Sequence, residues 1–341
     1  MRSQKPVADP QIPPMRGVRL LRALQKVLPL GRRYHPLVSI LNPSHGLFSI
    51  PFEGCSLVHP ASWRKYATAF LLAGRAVVPE FVLLEKLLAQ LPGGHLVDVG
   101  ANIGIYTLLM RKASSRPIIS YEPQPFLFDL LKANARHNNL ENVDLRNLAC
   151  GAASGTIPFH IGINGAVATG ADTASGDRRE PGSNDNRDAW RSTSLDDAAG
   201  ITQAGKTVVH VPLTTLDENL AGTKVALLKI DCEGFETSIL AGAQAILRRD
   251  RPFVFVEAHP VDLEKYGSSL AALIAILQPM YTLEGWDFSL DRHRSKLVRS
   301  WRKHRFPRGR EFQGMDEMLN VAARAPRPTQ LYLVCRPTKV A

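Results

Sequence analysis

Several features that define whole classes of protein are scarce in this chain of 341 residues. It contains four cysteines and no CxxC pair, so the spacing argues against a disulfide framework or a zinc ribbon and favours a reducing compartment. No apolar run reaches the roughly 18 residues of a transmembrane helix. Basic residues also interrupt the first 30 positions, where a secretory signal would have its apolar segment. The sequence therefore predicts a cytoplasmic protein.

The composition is otherwise that of a globular protein, with 45% hydrophobic and 21% charged residues. The formal net charge of +11 is unevenly distributed, because residues 1–35 carry +7, residues 291–310 carry +8 and the remainder carries −4. Between Arg292 and Arg310 the basic residues alternate with Trp301 and Phe306. This pattern predicts contact with an anionic membrane surface or an acidic glycan, with nucleic acid as a less favoured partner. A solvated surface segment is the alternative.

The periodicity of the sequence divides the chain at residue 95. Residues 1–94 form an N-terminal extension with predicted helices over 18–28 and 77–91, and residues 95–341 form one α/β domain. Within this domain, residues 163–206 have no hydrophobic period and indicate a loop insertion, and residues 291–310 form the basic segment. Strands are predicted at 96–99, 117–121, 143–150, 208–213, 225–230, 253–258, 281–286 and 330–335. Helices are predicted at 105–112, 126–136, 235–248 and 270–277.

The strongest motif follows the first strand of this domain. The strand carries Asp98, and the chain then passes through Gly100, Asn102 and Gly104 into a helix, whose N-terminus attracts an anionic group. Glu122 ends the next strand and suits a carboxylate that accepts hydrogen bonds from ribose hydroxyls. Because a dinucleotide fold needs G-x-G-x-x-G, the pattern D-x-G-x-N-x-G instead favours a nucleoside with an amino group and no pyrophosphate. S-adenosylmethionine fits this description, and all five residues are predicted to bind it.

A second motif follows the strand at 225–230. Asp231 ends this strand, and Glu233 and Glu236 come directly after it. If this strand and the first one flank the point where the strand order reverses, Asp231 would face the glycine turn. Such carboxylates can orient an acceptor hydroxyl, act as a base or hold a divalent ion. The alternative is that Glu233 and Glu236 accept hydrogen bonds from backbone N–H groups at the start of the next helix. Lys229 is expected to point away from the site and to pair with an acid.

A third group of polar residues follows the strand at 253–258. His259 is the best candidate for a general base, because imidazole titrates near neutral pH, although a histidine after a strand is also a common polar cap. The predicted catalytic residues are therefore Asp231, Glu233 and His259. Glu257 beside Asp231 would suit Mg²⁺, but no spacing requires a metal, and the sequence assigns no metal ligand.

Three motifs in this order resemble the FkbM-type S-adenosylmethionine-dependent methyltransferases. They are VDVGANIG at 97–104, YEP at 121–123 and LKIDCEGFE at 228–236, and the resemblance covers residues 95–260. It implies a Rossmann-like class I methyltransferase fold, with seven mostly parallel strands, an antiparallel last strand and helices on both faces. It also implies a donor at the ends of the first two strands, and O-methylation of a hydroxyl on a sugar, glycan or secondary metabolite.

Three other functions stay open. The segment after the strand at 225–230 lacks the Asn/Asp-Pro-Pro-Tyr/Phe motif of enzymes that methylate base nitrogens, which leaves an RNA ribose methyltransferase as one alternative. An NAD-dependent oxidoreductase is the second, although the glycine pattern and Asn102 argue against it. The third is a binding module that has kept the fold without catalysis.

Overall fold

The computed structural model describes residues 12–27, 41–42, 46–162, 165–168, 207–289, 309–324 and 330–338. Most of the predicted insertion and most of the predicted basic segment therefore lie outside the described residues.

The N-terminal part of the chain packs on the α/β domain. Phe48, Phe70 and Leu84 are buried in the same apolar cluster as Leu108, so the two regions share one core. The first predicted helix is confirmed. The second predicted helix is shorter than expected and begins only after a 3-10 turn at Gly74–Val77. A β-hairpin and the helix that comes after this hairpin were not predicted. The elements are α1 (Val18–Val27), β1 (Leu47–Phe52), β2 (Cys55–Pro60), α2 (Arg64–Ala73) and α3 (Phe81–Leu88).

The predicted alternation of strands and helices from residue 95 onward is confirmed. The elements up to the small second sheet are β3 (His95–Val99), α4 (Ile105–Ala113), β4 (Ile118–Tyr121), α5 (Pro125–His137), β5 (Val143–Arg146), β6 (Ala149–Cys150), β7 (Gly155–Gly162), β8 (Gly165–Ala168) and β9 (Thr207–Thr214). The remaining elements are α6 (Leu216–Asn219), β10 (Val225–Ile230), α7 (Glu236–Ala241), α8 (Gln244–Arg249), β11 (Phe253–Ala258), α9 (Pro260–Lys265), α10 (Leu270–Leu277), β12 (Tyr281–Asp287), β13 (Arg310–Glu311), α11 (Met315–Arg324) and β14 (Leu331–Pro337).

The central sheet has the order β13-β12-β14-β11-β10-β3-β4-β5. The five strands from β11 to β5 are parallel, and β14 runs antiparallel to both of its neighbours. This confirms the mostly parallel sheet with an antiparallel last strand, to which the two-residue β13 adds an eighth strand. Successive residues such as Leu96 and Val97 lie in different apolar clusters, one with Leu108 of α4 and the other with Leu273 of α10. Helices therefore cover both faces of the sheet.

Two sequence predictions are corrected by a second, four-stranded sheet of order β6-β9-β7-β8, and the strand predicted at 208–213 is confirmed as β9. The single strand predicted over 143–150 is wrong, because the chain turns at Asn147, whose Nδ2 donates to the backbone oxygens of Glu122 and Pro123 at 2.8 and 3.0 Å. The strand predicted at 208–213 belongs to this smaller sheet, and the predicted loop insertion contains strand β8. The helix predicted over 235–248 is also two helices, since Gly242 O accepts a hydrogen bond from Asp217 N at 2.9 Å.

The order of the strands creates a crevice at one edge of the central sheet. From β3 the chain crosses through α4 to β4 on one side, while β10 lies on the other side of β3. Strand order reverses between β3 and β10, and ligands of open α/β sheets bind outside the carboxyl ends of the strands at such a point.

Candidate active site

The predicted site residues lie at the carboxyl ends of four neighbouring parallel strands. Asp98 belongs to β3, Glu122 follows β4, Asp231 follows β10, and Glu257 lies near the end of β11 with His259 just beyond it. The register aligns these ends, because Val99 pairs with Ile230 and Ile230 pairs with Val256.

The glycine turn lies tightly between two strand ends. The backbone N–H groups of Gly100 and Ala101 donate to Tyr121 O at 3.0 and 2.9 Å. Gly100 has a φ of +78°, and a Cβ at this position would overlap the carbonyl oxygen of Asp231. At Gly104, with a φ of +92°, a Cβ would lie 2.6 Å from Leu131 Cδ1. Gly100 is therefore required by a neighbouring backbone atom, and Gly104 is favoured by its positive φ, whereas the sequence prediction invoked close approach of a ligand.

Glu122 links the glycine turn to the start of α5. Its Oε2 accepts a hydrogen bond from Asn102 N at 2.8 Å, and its Oε1 accepts one from Gln124 N at 2.9 Å. The residue is 5% exposed, and burial raises the pKa of its carboxyl to about 7, although the two hydrogen bonds and Lys229 act to lower it. Each oxygen keeps a further acceptor position. Glu122 is therefore held in place and can still accept hydrogen bonds from a ligand.

Gln124 is a candidate site residue that the sequence interpretation did not name. Its side chain is fully buried, and neither its Nε2 nor its Oε1 has a hydrogen-bond partner among the residues that the structure describes. A buried amide without partners is unusual and calls for a ligand or a water molecule. The available signal was its position two residues after Glu122.

Asp98 is fully buried and bound to other side chains at both of its oxygens. Its Oδ1 lies 3.0 Å from Lys229 Nζ, and its Oδ2 accepts a hydrogen bond from Thr107 Oγ1 at 2.8 Å. Lys229 therefore pairs with an acid as expected, but it lies beneath the glycine turn and donates to Gly100 O at 3.2 Å. The contact of Asp98 with a cofactor stays a prediction, and the structure gives this residue the added role of holding Lys229.

Lys229 is charged despite its burial, and it connects the site to the N-terminal extension. Burial alone would lower its pKa, but Asp98 and Asp231 raise that pKa above its ordinary value. The Lys229 ammonium lies 4.6 Å from the ring centre of Tyr106, whose hydroxyl donates to Glu80 Oε1 at 2.6 Å. Glu80 directly precedes α3, so the extension contacts the site, which the sequence did not indicate.

The structure brings the three predicted catalytic residues together. His259 Nε2 lies 3.9 Å from Asp231 Oδ1, 3.8 Å from Glu233 Oε2 and 3.6 Å from Glu257 Oε1. On the other side of the ring, Nδ1 lies 3.0 Å from Glu236 Oε1. We refer to these five residues as the acidic cluster.

Burial and mutual repulsion shape the electrostatics of the acidic cluster. Burial raises the pKa of Asp231 to about 8, with Glu257 acting in the same direction and Lys229 and His259 acting against it. Burial alone would lower the pKa of His259, but the carboxylates around the ring raise it well above its ordinary value. Glu236 is fully buried and accepts a hydrogen bond from Gly234 N at 3.1 Å. This agrees with the alternative given above, in which Glu236 accepts hydrogen bonds from backbone N–H groups before the next helix.

The parallel sheet, the glycine turn with Glu122, and the acidic strand end across the switch point define a protein with the class I methyltransferase fold. The family model described as the Methyltransferase FkbM domain matches residues 98–321. Because this match covers about two thirds of the sequence, the chain belongs to the FkbM methyltransferase family.

Three relatives illustrate the extent of the similarity. The Methyltransferase sdnD of Sordaria araneosa is 38% identical over 76 residues, which are 21% of this chain and 29% of that protein. The crystal structure of an FkbM methyltransferase from Methylobacillus flagellatus is 15% identical with a TM-score of 0.37, over 80% of this chain and 54% of that one. A putative O-methyltransferase from Klebsiella pneumoniae is 10% identical with a TM-score of 0.37, over 76% and 79%. The family assignment depends on the family match and not on the structural similarities.

Proposed function

We propose that this protein transfers a methyl group from S-adenosylmethionine to a hydroxyl of a sugar, a glycan or a secondary metabolite. When bound, this donor supplies a methyl group on a sulfonium centre, which a nucleophilic oxygen can accept. The observation that carries the proposal is the pair formed by Glu122 and Gln124, because a fixed carboxylate is followed two residues later by a buried amide that has no hydrogen-bond partner among the described residues.

The residues on the β3 and β4 side fit the donor. Glu122 offers acceptor positions to two ribose hydroxyls, and the Gln124 amide offers both a donor and an acceptor to a polar edge. Asn102 is exposed at the tip of the glycine turn. The residues that we propose to hold the donor are Asp98, Gly100, Asn102, Gly104, Glu122 and Gln124, with Asp98 acting through Lys229 and the turn.

The acidic cluster supplies the groups for the acceptor. An alcohol is almost fully protonated at neutral pH, so transfer to its oxygen is helped by a group that removes or stabilises the departing proton. Asp231 and Glu233 are 26% and 55% exposed at their side chains, whereas His259 is 10% exposed. We propose that the acceptor hydroxyl lies against these three residues, and that positioning of donor and acceptor provides most of the acceleration.

Calorimetry with S-adenosylmethionine tests the donor site. Glu122→Gln should weaken binding by about 1.5–3 kcal/mol, because it removes charge-assisted hydrogen bonds. Asp129→Asn is the matched control, since Asp129 is 70% exposed on α5 and pairs with Lys132, and its affinity should equal that of the wild type. Binding of NAD in place of S-adenosylmethionine would overturn the proposal.

The acceptor is identified by incubating the protein with a labelled methyl donor and fractionated cell glycans, small metabolites, lipids and RNA. Label in glycans or metabolites supports the proposal, label in RNA alone supports ribose methylation instead, and label in no fraction despite donor binding indicates a binding module. With the true acceptor, Asp231→Asn and His259→Gln should each lower kcat by roughly 10²–10⁴-fold and leave the donor affinity unchanged.

We also propose, from its charge, that the segment between Arg292 and Arg310 contacts an anionic surface. In α1, Leu21 is fully buried while Leu20 is 48% exposed, so part of its apolar face is already occupied within the protein. No helix among the described residues has both the length and the apolar character to cross a membrane. Salt-sensitive pelleting with anionic liposomes is expected, and its absence would refute the lipid contact.

A further inference from the structure

The centre of the acidic cluster has the spacing of a metal site. Nitrogen and oxygen atoms that share one ion at about 2.0–2.4 Å are separated by roughly 3–4 Å. His259 Nε2 lies 3.6 Å from Glu257 Oε1 and 3.9 Å from Asp231 Oδ1, and ligand atoms from all three residues lie within 4.8 Å of one another. These distances exceed the usual N–H···O range. The three atoms therefore face one gap, at the edge of which Glu257 Oε1 also accepts a hydrogen bond from Gln330 Nε2 at 3.3 Å.

We propose that Asp231 Oδ1, Glu257 Oε1 and His259 Nε2 bind a divalent cation. One imidazole and two carboxylates suit Mn²⁺ or Zn²⁺ better than Mg²⁺ or Ca²⁺, which favour ligand sets made only of oxygen. The role of the cation in methyl transfer rests on the function proposed above, whereas its binding does not.

The second observation behind this proposal is the support of the His259 ring. The side chain is 10% exposed, and its Nε2 faces the gap between the carboxylates. Its Nδ1 lies 3.0 Å from Glu236 Oε1, and the same oxygen accepts a hydrogen bond from Gly234 N. Histidines that bind metals characteristically donate their other N–H to a carboxylate, which fixes the tautomer and the orientation of the ring. Glu236 has this position, which an acidic surface patch would not require.

The charges around the site also favour a cation. Asp231, Glu233, Glu236 and Glu257 surround one imidazole. The ammonium of Lys229 lies 3.0 Å from Asp98 Oδ1 and 3.7 Å from Asp231 Oδ2. Since Lys229 approaches Oδ2, the Oδ1 atom of Asp231 is oriented towards His259. A divalent cation there would offset repulsion between the carboxylates, and its remaining positions could bind the acceptor hydroxyl and lower its pKa.

The sulfonium of the methyl donor is also a cation, so the experiment is done without donor. The full-length protein is treated with a chelator, and Mn²⁺ is titrated in while the paramagnetic resonance signal of free Mn²⁺ is recorded. We expect one ion per chain, displaced by Zn²⁺. Glu257→Gln and His259→Gln should each weaken Mn²⁺ binding by about 100-fold or more, and Glu236→Gln by about 10–100-fold.

Glu141→Gln is the control, because Glu141 is exposed in the turn before β5 at the opposite end of the sheet, and its Mn²⁺ affinity should stay within about twofold of the wild type. Circular dichroism checks that each variant is folded, and Asp231→Asn replaces any variant that is not. Absence of Mn²⁺ and Zn²⁺ binding at millimolar concentration, or equal affinity in the wild type and the ligand variants, would overturn the cation site.

Donor binding measured on the same samples separates this inference from the proposed function. If S-adenosylmethionine binds and no cation does, the cation site is overturned and the donor site stands. If Mn²⁺ binds with the expected losses in the variants and S-adenosylmethionine does not bind, the cation site is supported and the proposed function fails.

Discussion

The candidate active site has two halves, one at the ends of β3 and β4 and the other at the ends of β10 and β11. They differ in the groups that compensate their carboxylates. On the β3 and β4 half, Asp98 is held by Lys229 and Thr107, and Glu122 accepts two backbone hydrogen bonds. On the β10 and β11 half, four carboxylates surround the imidazole of His259. In the functions proposed above, the first half binds neutral hydroxyl and amide groups, whereas the second binds a positive charge.

Lys229 is the point at which the two halves meet. Its ammonium pairs with Asp98 on one side, approaches Asp231 on the other, and donates to Gly100 O between them. One buried cation therefore fixes the carboxylate of the first half and orients that of the second. Replacing Lys229 is therefore the most direct test of how the two halves are connected.

Lys229→Met is expected to have the largest effect on stability. Asp98 is fully buried, so its carboxylate would lose its charged partner, and breaking a buried ion pair from one side costs about 3–5 kcal/mol. The double variant Lys229→Met/Asp98→Asn should regain a substantial part of this loss, because the fully buried Asp98 no longer carries an unpaired charge. Urea unfolding of the wild type, both single variants and the double variant measures this. A loss below about 1 kcal/mol in Lys229→Met would show that the pair does not connect the halves.

Gly100→Ala is expected to have the next largest effect, because it separates the halves physically. The left-handed backbone alone costs about 1–2 kcal/mol for alanine, and overlap with Asp231 O adds about 1–3 kcal/mol. Gly222→Ala is the matched control, since Gly222 has a φ of +76° and no atom within 4 Å of its Cβ position. Unfolding free energies should therefore differ between the two variants by the overlap alone, and equal values would mean that β3 and β10 are not in close contact there.

The fold was predictable from the sequence where local pattern and tertiary structure agree. The buried strands β3, β4, β10 and β11 are short apolar runs that end in acidic or glycine residues, and the position of Glu122 after β4 follows from this alternation. The hairpin of β1 and β2 was missed, because its two turn residues with positive φ are Glu53 and Gly54 and not the Asn-Gly or Asp-Gly pair that usually indicates such a turn.

The composition of the acidic cluster was predictable only in part, because it depends on strand register. Ile230 pairs with Val256 in the parallel ladder, so Asp231, directly after β10, lies beside Glu257, which is still part of β11. No local pattern encodes this pairing, and neighbouring residues in a strand point to opposite faces. The sequence therefore grouped Asp231 with Glu233 and Glu236 and expected Glu257 beside Asp231. It could not show that His259 faces these carboxylates or that Glu236 lies behind the histidine ring.

The pH dependence of donor binding gives the smallest and most specific test of the difference between the halves. Glu122 must be ionised to accept two hydroxyl hydrogen bonds, and burial raises its pKa to about 7, with Asp98 raising it and Lys229 lowering it. Below this pKa the carboxyl must lose a proton on binding, so donor affinity measured by calorimetry should be about 10-fold weaker at pH 6 than at pH 8. Glu122→Gln should lose this Glu122-dependent part of the profile, while Asp231→Asn should keep it. A profile that followed Asp231 instead would mean that donor binding depends on the charge of the β10 and β11 half, and the division of the edge into a hydroxyl-binding half and a cation-binding half would be wrong.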